Sequence, residues 1–167
     1  MEVNRGKTYT DKKNVYYILL FAFIIILYEV FAGFIYTNYG IVLENPLTKQ
    51  PFTLQLFGLI IVAPLFETWL CQYLPFYFLR KWISNKIRIE LIYIIISSLL
   101  FASQHFYSIW YAVYTVMPGI VLAYCFYYFY KLYQSLIVSF WFTAILHAII
   151  NFVGIAFEFL QGVFLEN

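Results

Sequence analysis

Four residues of this 167-residue chain sit where their surroundings should not tolerate them. Glu67, His105, His147 and Asn151 each lie within a long apolar run, and the two histidines are the only ones in the protein. An ionisable side chain in hydrocarbon is costly and calls for a partner or a function. A carboxylate with two imidazoles suggests water activation. Glu67 takes a proton from water as general base, the histidines hold the water or polarise a carbonyl, and Asn151 donates to a developing oxyanion. The same set could hold a metal through Glu67, His105 and His147, a divalent ion such as zinc, because His and Glu are ordinary zinc ligands.

The elements that must position these residues follow from composition. Hydrophobic residues make up 64% of the chain, aromatic residues 24% and charged residues only 11%, with a mean hydropathy of +0.81. An average soluble domain carries roughly 25% charged residues. A soluble enzyme, a nucleic-acid binder and a disordered tail are therefore disfavoured. Apolar runs predict spans over 15–36, 54–79, 91–107, 111–130 and 134–155, each near the ~20 residues a bilayer needs. Only Ser108 and its aromatic neighbours divide the third run from the fourth. Continuous runs, rather than alternation, predict helices and not barrel strands. The expected fold is an all-α, polytopic transmembrane bundle of about five spans, six if the tail 156–167 forms an interfacial helix. Residues 1–14 read as a cytoplasmic N-terminal segment and 15–167 as a single membrane-embedded domain.

The basic residues are distributed unevenly. Arg5, Lys7, Lys12 and Lys13, then Arg80, Lys81, Lys86 and Arg88, then Lys131 fall on one side of a five-span chain, and only Lys49 falls on the other. The positive-inside rule then predicts a multi-pass cell-membrane protein with its N-terminus in the cytoplasm. Tyr36, Tyr39, Trp82, Trp110, Tyr111, Tyr130 and Tyr133 near span ends read as interfacial belts.

At ~1.5 Å per residue from the cytoplasmic ends, Glu67 lies ~18 Å deep, His105 ~21 Å and His147 ~20 Å. Three helices thus carry a carboxylate and two imidazoles to one level. Ser135, Ser139, Thr143, His147 and Asn151 recur every four residues on the fifth span, so neighbours share a face. The first three read as a polar seam joining helices, and His147 with Asn151 as chemistry. Pro64, three residues before Glu67, predicts a kink with a freed carbonyl beside a wet cavity. Pro118-Gly119 predicts another kink, without chemistry. Glu29 reads either as part of the cavity or as a neutral acid in apolar surroundings. Cys71 and Cys125 read as small buried apolar residues.

Several other intramembrane chemistries are disfavoured by inspection. No His-Glu-x-x-His occurs, Asp11 is the sole aspartate and lies outside the spans, and no Gly-x-Ser is present. Ala63-Pro64-Leu65-Phe66-Glu67-Thr68-Trp69-Leu70-Cys71-Gln72 resembles the first motif, Glu-Glu-x-x-x-Arg, of the CPBP family of CAAX prenyl protease and bacteriocin-processing proteins, also called Abi. Phe101-Ala-Ser-Gln-His105 resembles the second, Phe-x-x-x-His, and His147-Ala-Ile-Ile-Asn151 the third, His-x-x-x-Asn. The three occur in family order on three spans.

The resemblance implies an intramembrane endopeptidase of glutamate or metal type, acting on a membrane peptide or protein in or near the bilayer and not on nucleic acid. It makes Glu67, His105, His147 and Asn151 the catalytic set, supported by Thr68, Gln72 and Phe101. Thr68 and Gln72 stand where the motif has its second glutamate and its arginine. One turn apart, they predict a neutral hydroxyl–amide contact in place of a charged one. Roles in bacteriocin or peptide processing or self-immunity follow from the family. A composition leaning to Ile, Phe, Tyr and Lys hints at an AT-rich bacterial genome, in which prenyl processing is not expected. The rival readings are an inactive immunity or binding protein on the same scaffold and a small proton-coupled transporter.

Overall fold

A computed structural model describes residues 3–41, 51–83 and 85–165. The basic residue expected alone on its side, Lys49, and the Asn45-Pro46 pair lie outside the described residues. Five helices account for nearly all of the described backbone. They are α1 (Val3–Asn38), α2 (Phe52–Trp82), α3 (Lys86–Gln104), α4 (Ile109–Tyr133) and α5 (Leu136–Leu165). Each contains a stretch long and apolar enough to cross a membrane. Large apolar side chains such as Phe23, Leu99, Ile137 and Trp141 are exposed on their outer faces. That surface suits lipid, and the chain is a multi-pass membrane protein.

Local signals set the helix ends. Asn85 caps α3, its Oδ1 accepting from the Ile87 and Arg88 amides at 3.1 Å each. Ser108 caps α4 by accepting from the Tyr111 amide at 3.1 Å, which makes a sharp boundary where the hydropathy pattern is weakest. Gln134 ends α4 in the left-handed region at φ 52°, its amide bonding the Tyr130 carbonyl at 2.8 Å. Residues 3–14 are helical and continuous with the first span, and the Asn14 amide, buried, donates to the Tyr133 hydroxyl. The tail, as far as residue 165, extends α5.

The core has two parts. Near the ends of the helices where the basic loops lie, Phe76 packs edge-on against Tyr93, Phe126, Tyr127 and Tyr130. The larger cluster joins Phe21 and Ile25 of α1 to Cys71 of α2, Phe101 of α3, Leu122 and Phe129 of α4 and Leu146 of α5. Helix α4 is the axis of the bundle, with half of its span buried. Where α3 and α4 cross, Gly119 is essential to the approach. A Cβ there would stand 3.1 Å from the Ser98 Cα and carbonyl oxygen and 3.2 Å from the Phe101 Cβ. Small residues at such crossings let membrane helices pack closely.

Helix α2 does not kink simply at Pro64. It contains two π-helical stretches, Gly58–Val62 and Thr68–Tyr73, each followed closely by a proline, Pro64 and Pro75. In the first, the Ala63 amide bonds the Gly58 carbonyl five residues back. The next amide in that pattern belongs to Pro64, which has no N–H, so the Leu59 carbonyl lacks its intrahelical partner.

Candidate active site

Glu67 lies between the two π-helical stretches of α2, with Thr68 opening the second. Such stretches recur at functional sites because the extra residue per turn re-aims side chains. Here Glu67 Oε2 lies 3.7 Å from His105 Nε2 and 3.7 Å from His147 Nε2. The three residues expected to converge from three spans do so. His105, however, is not within a helix. The third span stops at Gln104, and His105 occupies the turn after it, with the Tyr107 amide bonding its carbonyl at 2.8 Å.

A contact of 3.7 Å is too long for a direct hydrogen bond and leaves a place for a water beside the two atoms, within reach of both. The hydrogen bonds of His105 say what such a water must do. Its Nδ1 lies 2.8 Å from the Phe101 carbonyl, and a carbonyl only accepts, so Nδ1 carries the proton. In the neutral ring Nε2 is then a lone pair facing a carboxylate oxygen. Two acceptors that face one another are reconciled by a water donating one hydrogen to each. His147 is buried, and its Nδ1 and Glu67 Oε2 have no hydrogen-bond partner. The Phe101 ring holds both imidazoles, with centroids 4.6 Å from His105 and 5.4 Å from His147.

The metal alternative fits less well. Ligands ~2.0–2.1 Å from a tetrahedral zinc lie about 3.3–3.4 Å from one another, closer than the 3.7 Å separations here. Among the described residues no group of three His, Cys, Asp or Glu side chains is arranged to hold a metal ion.

Asn151 lines the same cavity, but its Nδ2 donates to the Leu59 carbonyl at 2.7 Å. This is the carbonyl that Pro64 leaves without a partner. The expected oxyanion donor is therefore engaged with the wall of α2 through one of its two N–H groups. Thr68 and Gln72 are fully buried behind Glu67 and do not line the cavity. The expected hydroxyl–amide contact does not form, since Thr68 Oγ1 and both polar atoms of Gln72 lack hydrogen-bond partners. The wider turn over Thr68–Tyr73 brings residue i+5, not i+4, over residue i, which undoes the one-turn argument. Ser139 and Thr143 of the Ser/Thr seam are buried, and the seam crosses to the neighbouring helix at one residue. Ser139 and Thr143 bond carbonyls four residues back in their own helix, at 2.7 and 2.9 Å, and only Thr143 reaches across, to Cys125 Sγ at 3.8 Å.

The cavity measures about 640 Å³ and is walled by every helix. Glu29 lines it. Tyr107, Tyr111 and Tyr114 also line it, and the Tyr111 ring stacks on His105 at 6.0 Å. Tyr111 thus faces the site rather than a lipid interface. The signal was present in the sequence: Tyr111, Tyr114, Thr115, Pro118 and Leu122 recur at three- and four-residue steps and all line the cavity. A second proline is accommodated in the same way as Pro64. Pro118 cannot donate to the Tyr114 carbonyl, and the Tyr28 hydroxyl of α1 does so at 2.9 Å.

Neither curated proteins nor solved structures gave a match. The family model for type II CAAX prenyl endopeptidase Rce1-like proteins matches residues 49–153, a segment that contains Glu67, His105, His147 and Asn151. The chain therefore belongs to the Rce1-like family of type II CAAX prenyl endopeptidases.

Proposed function

We propose that this protein is an intramembrane endopeptidase in which Glu67 activates water against a peptide bond drawn into the cavity. The observation that carries the reading is the position of Glu67 Oε2, 3.7 Å from both imidazole Nε2 atoms inside a membrane-spanning bundle. Water bridging Glu67 and His105 directs both hydrogens at acceptors and leaves its lone pair free for the substrate. Glu67 takes one proton as the water oxygen bonds to the scissile carbonyl carbon. The carbonyl oxygen becomes an oxyanion, which accepts from His147 Nε2–H and the second N–H of Asn151. As the carbon–nitrogen bond breaks, Glu67 returns the proton to the departing amine. The products are a carboxylic acid and an amine, and Glu67 is again a carboxylate. Phe101 positions both imidazoles, and Thr68 and Gln72 fill the space behind the carboxylate.

The substrate in this reading is a hydrophobic peptide or membrane-protein segment, with bacteriocin or peptide-precursor processing and self-immunity as its settings. The N-terminus is cytoplasmic, so the cavity opens toward the outer half of the membrane. The test is Glu67→Gln, which keeps volume and hydrogen-bonding reach but cannot accept the proton. Purified wild-type and variant proteins in lipid nanodiscs are compared on a farnesylated C-terminal peptide and on unprenylated single-span peptides. Glu67→Gln should fold and insert normally and lose cleavage by ~10²-fold or more. Cleavage retained by Glu67→Gln would make the carboxylate structural. A protective phenotype retained by a protein that cleaves nothing would replace the protease by a binding or immunity protein.

A further inference from the structure

The cavity around Glu67 has a second carboxylate that the proposed hydrolysis does not use. Glu29 on α1 is half-buried and lines the same cavity. A continuous series of tyrosine rings runs along the cavity from Tyr107, within electrostatic reach of Glu67, to Tyr114 and Tyr28, within reach of Glu29. Tyr107 and Tyr111 lie 5.4 Å apart, Tyr111 and Tyr114 5.9 Å, Tyr28 and Tyr114 stack at 5.6 Å, and Tyr36 meets Tyr114 edge-on at 6.2 Å. The carboxyl group is within electrostatic reach of Tyr28 and Tyr114.

Among the described residues no basic side chain pairs with it. The ion pairs among the described residues join Glu67 to the two histidines and Lys131 to Glu90, and none involves Glu29. Arg80 and Lys81 end α2, Arg88 begins α3 and Lys131 is in the last turn of α4. All four belong to the end of the bundle remote from this cavity. A carboxyl group in a membrane cavity with no cation beside it among the described residues fits a cation that arrives with the ligand. Tyrosine faces strengthen such a site, because their negative faces attract ammonium and guanidinium groups.

We propose that Glu29 and the wall of Tyr107, Tyr111 and Tyr114 form a recognition site for a positively charged side chain, lysine or arginine, of the membrane peptide that reaches Glu67. The inference rests on the protease reading for cleavage of that peptide, but not for its binding. It makes Glu29 a specificity-determining residue, acting on where along an apolar segment the peptide is held.

The experiment uses Leu/Ala single-span peptides, acetylated at the N-terminus, with one lysine scanned along the segment and a matching series with norleucine. Binding is measured to the Glu67→Gln protein in nanodiscs, where no cleavage interferes and Glu29 is the cavity's remaining carboxylate. Lysine should bind at least about tenfold more tightly than norleucine within one narrow window of positions. The ratio should fall to within about twofold in Glu29→Gln/Glu67→Gln and survive in part in Glu29→Asp/Glu67→Gln. Equal or undetectable binding of the two series at every position, or a lysine preference that persists without the Glu29 carboxylate, overturns the site. Wild-type protein is then tested for cleavage of the same peptides. A preference in binding with no cleavage leaves Glu29 assigned and removes the protease reading. Cleavage without any preference removes the Glu29 site alone.

Discussion

Asn151 Nδ2 on α5 donates to the Leu59 carbonyl of α2 at 2.7 Å, at the position where Pro64 removes the backbone donor. The His147–Asn151 segment is thereby tied to Pro64 in the segment that carries Glu67. An unpaired carbonyl in hydrocarbon is costly because no water relieves it. Asn151 satisfies it and at the same time fixes α2, and therefore Glu67, against the helix that carries His147.

This link predicts a particular pattern in a double-mutant cycle. Asn151→Ala should cost about 1–3 kcal/mol of thermal stability in nanodiscs, since it leaves a buried acceptor unmade. Pro64→Ala supplies an N–H that can take over the Leu59 carbonyl. Combined with Asn151→Ala it should recover much of that stability, a coupling the cycle reads directly. Cleavage should stay low in the double variant if the second N–H of Asn151 serves the oxyanion. Full recovery of cleavage would confine Asn151 to holding the helices together.

Gly119 supports the second motif from the opposite side. Its missing Cβ would meet Ser98 backbone at 3.1 Å and Phe101 Cβ at 3.2 Å. These are not the ends of flexible side chains, so Gly119→Ala must move α3. We expect a stability loss of about 1–3 kcal/mol. The activity loss should be larger than stability explains, because the Phe101 carbonyl orients His105 and the Phe101 ring touches both imidazoles. Cleavage per folded molecule, measured below the unfolding temperature, checks this. An unchanged value would mean that the crossing does not position His105.

The residues that break apolar runs were legible without coordinates. Glu67, His105 and His147 announce themselves as costs, and depth counting along helices brought them to one level because helical rise is constant. What the sequence concealed was of two kinds. The π-helical stretches of α2 leave no periodic trace, since most positions from Phe57 to Tyr73 are apolar whichever period they follow. Only Pro64 pointed there, and it signals a missing donor without naming the group that replaces it. Asn151 and Tyr28 answer backbone carbonyls, which side-chain motifs do not encode. Tyr111 and Tyr114 carry a helical spacing, but among 17 tyrosines that spacing alone does not separate them from those that face lipid headgroups.

The orientation of the chain is open to a direct test. The described cationic side chains Arg80, Lys81, Arg88 and Lys131 all belong to helix ends away from the cavity. Basic residues favour the cytoplasmic side. Reporter fusions after Arg88 should read cytoplasmic and fusions after Lys49 external. The reverse pair of results would place the cavity mouth in the cytoplasmic half and direct the search for substrates there.

The shape of the cavity predicts how access can be blocked without unfolding the protein. Gly33 on α1 and Gly154 on α5 both line it, and a Cβ at either position meets nothing within 4 Å. This is the opposite of Gly119, where any added atom meets backbone. Leucine at position 33 or 154 should therefore project into open space and not force the helices apart. Replacing a mid-helix glycine also removes an entropic penalty of about 0.5–1 kcal/mol, so thermal stability should hold or rise. Cleavage or binding of a bulky single-span peptide should fall by about tenfold or more, the scale on which pocket volume discriminates ligands. A short peptide with small side chains near the scissile bond should lose less. Gly33→Leu and Gly154→Leu proteins that are stable yet handle both peptides as the wild type does would show that substrate approaches Glu67 by another route, and the walls that remain to test are those of Tyr107 and Tyr111.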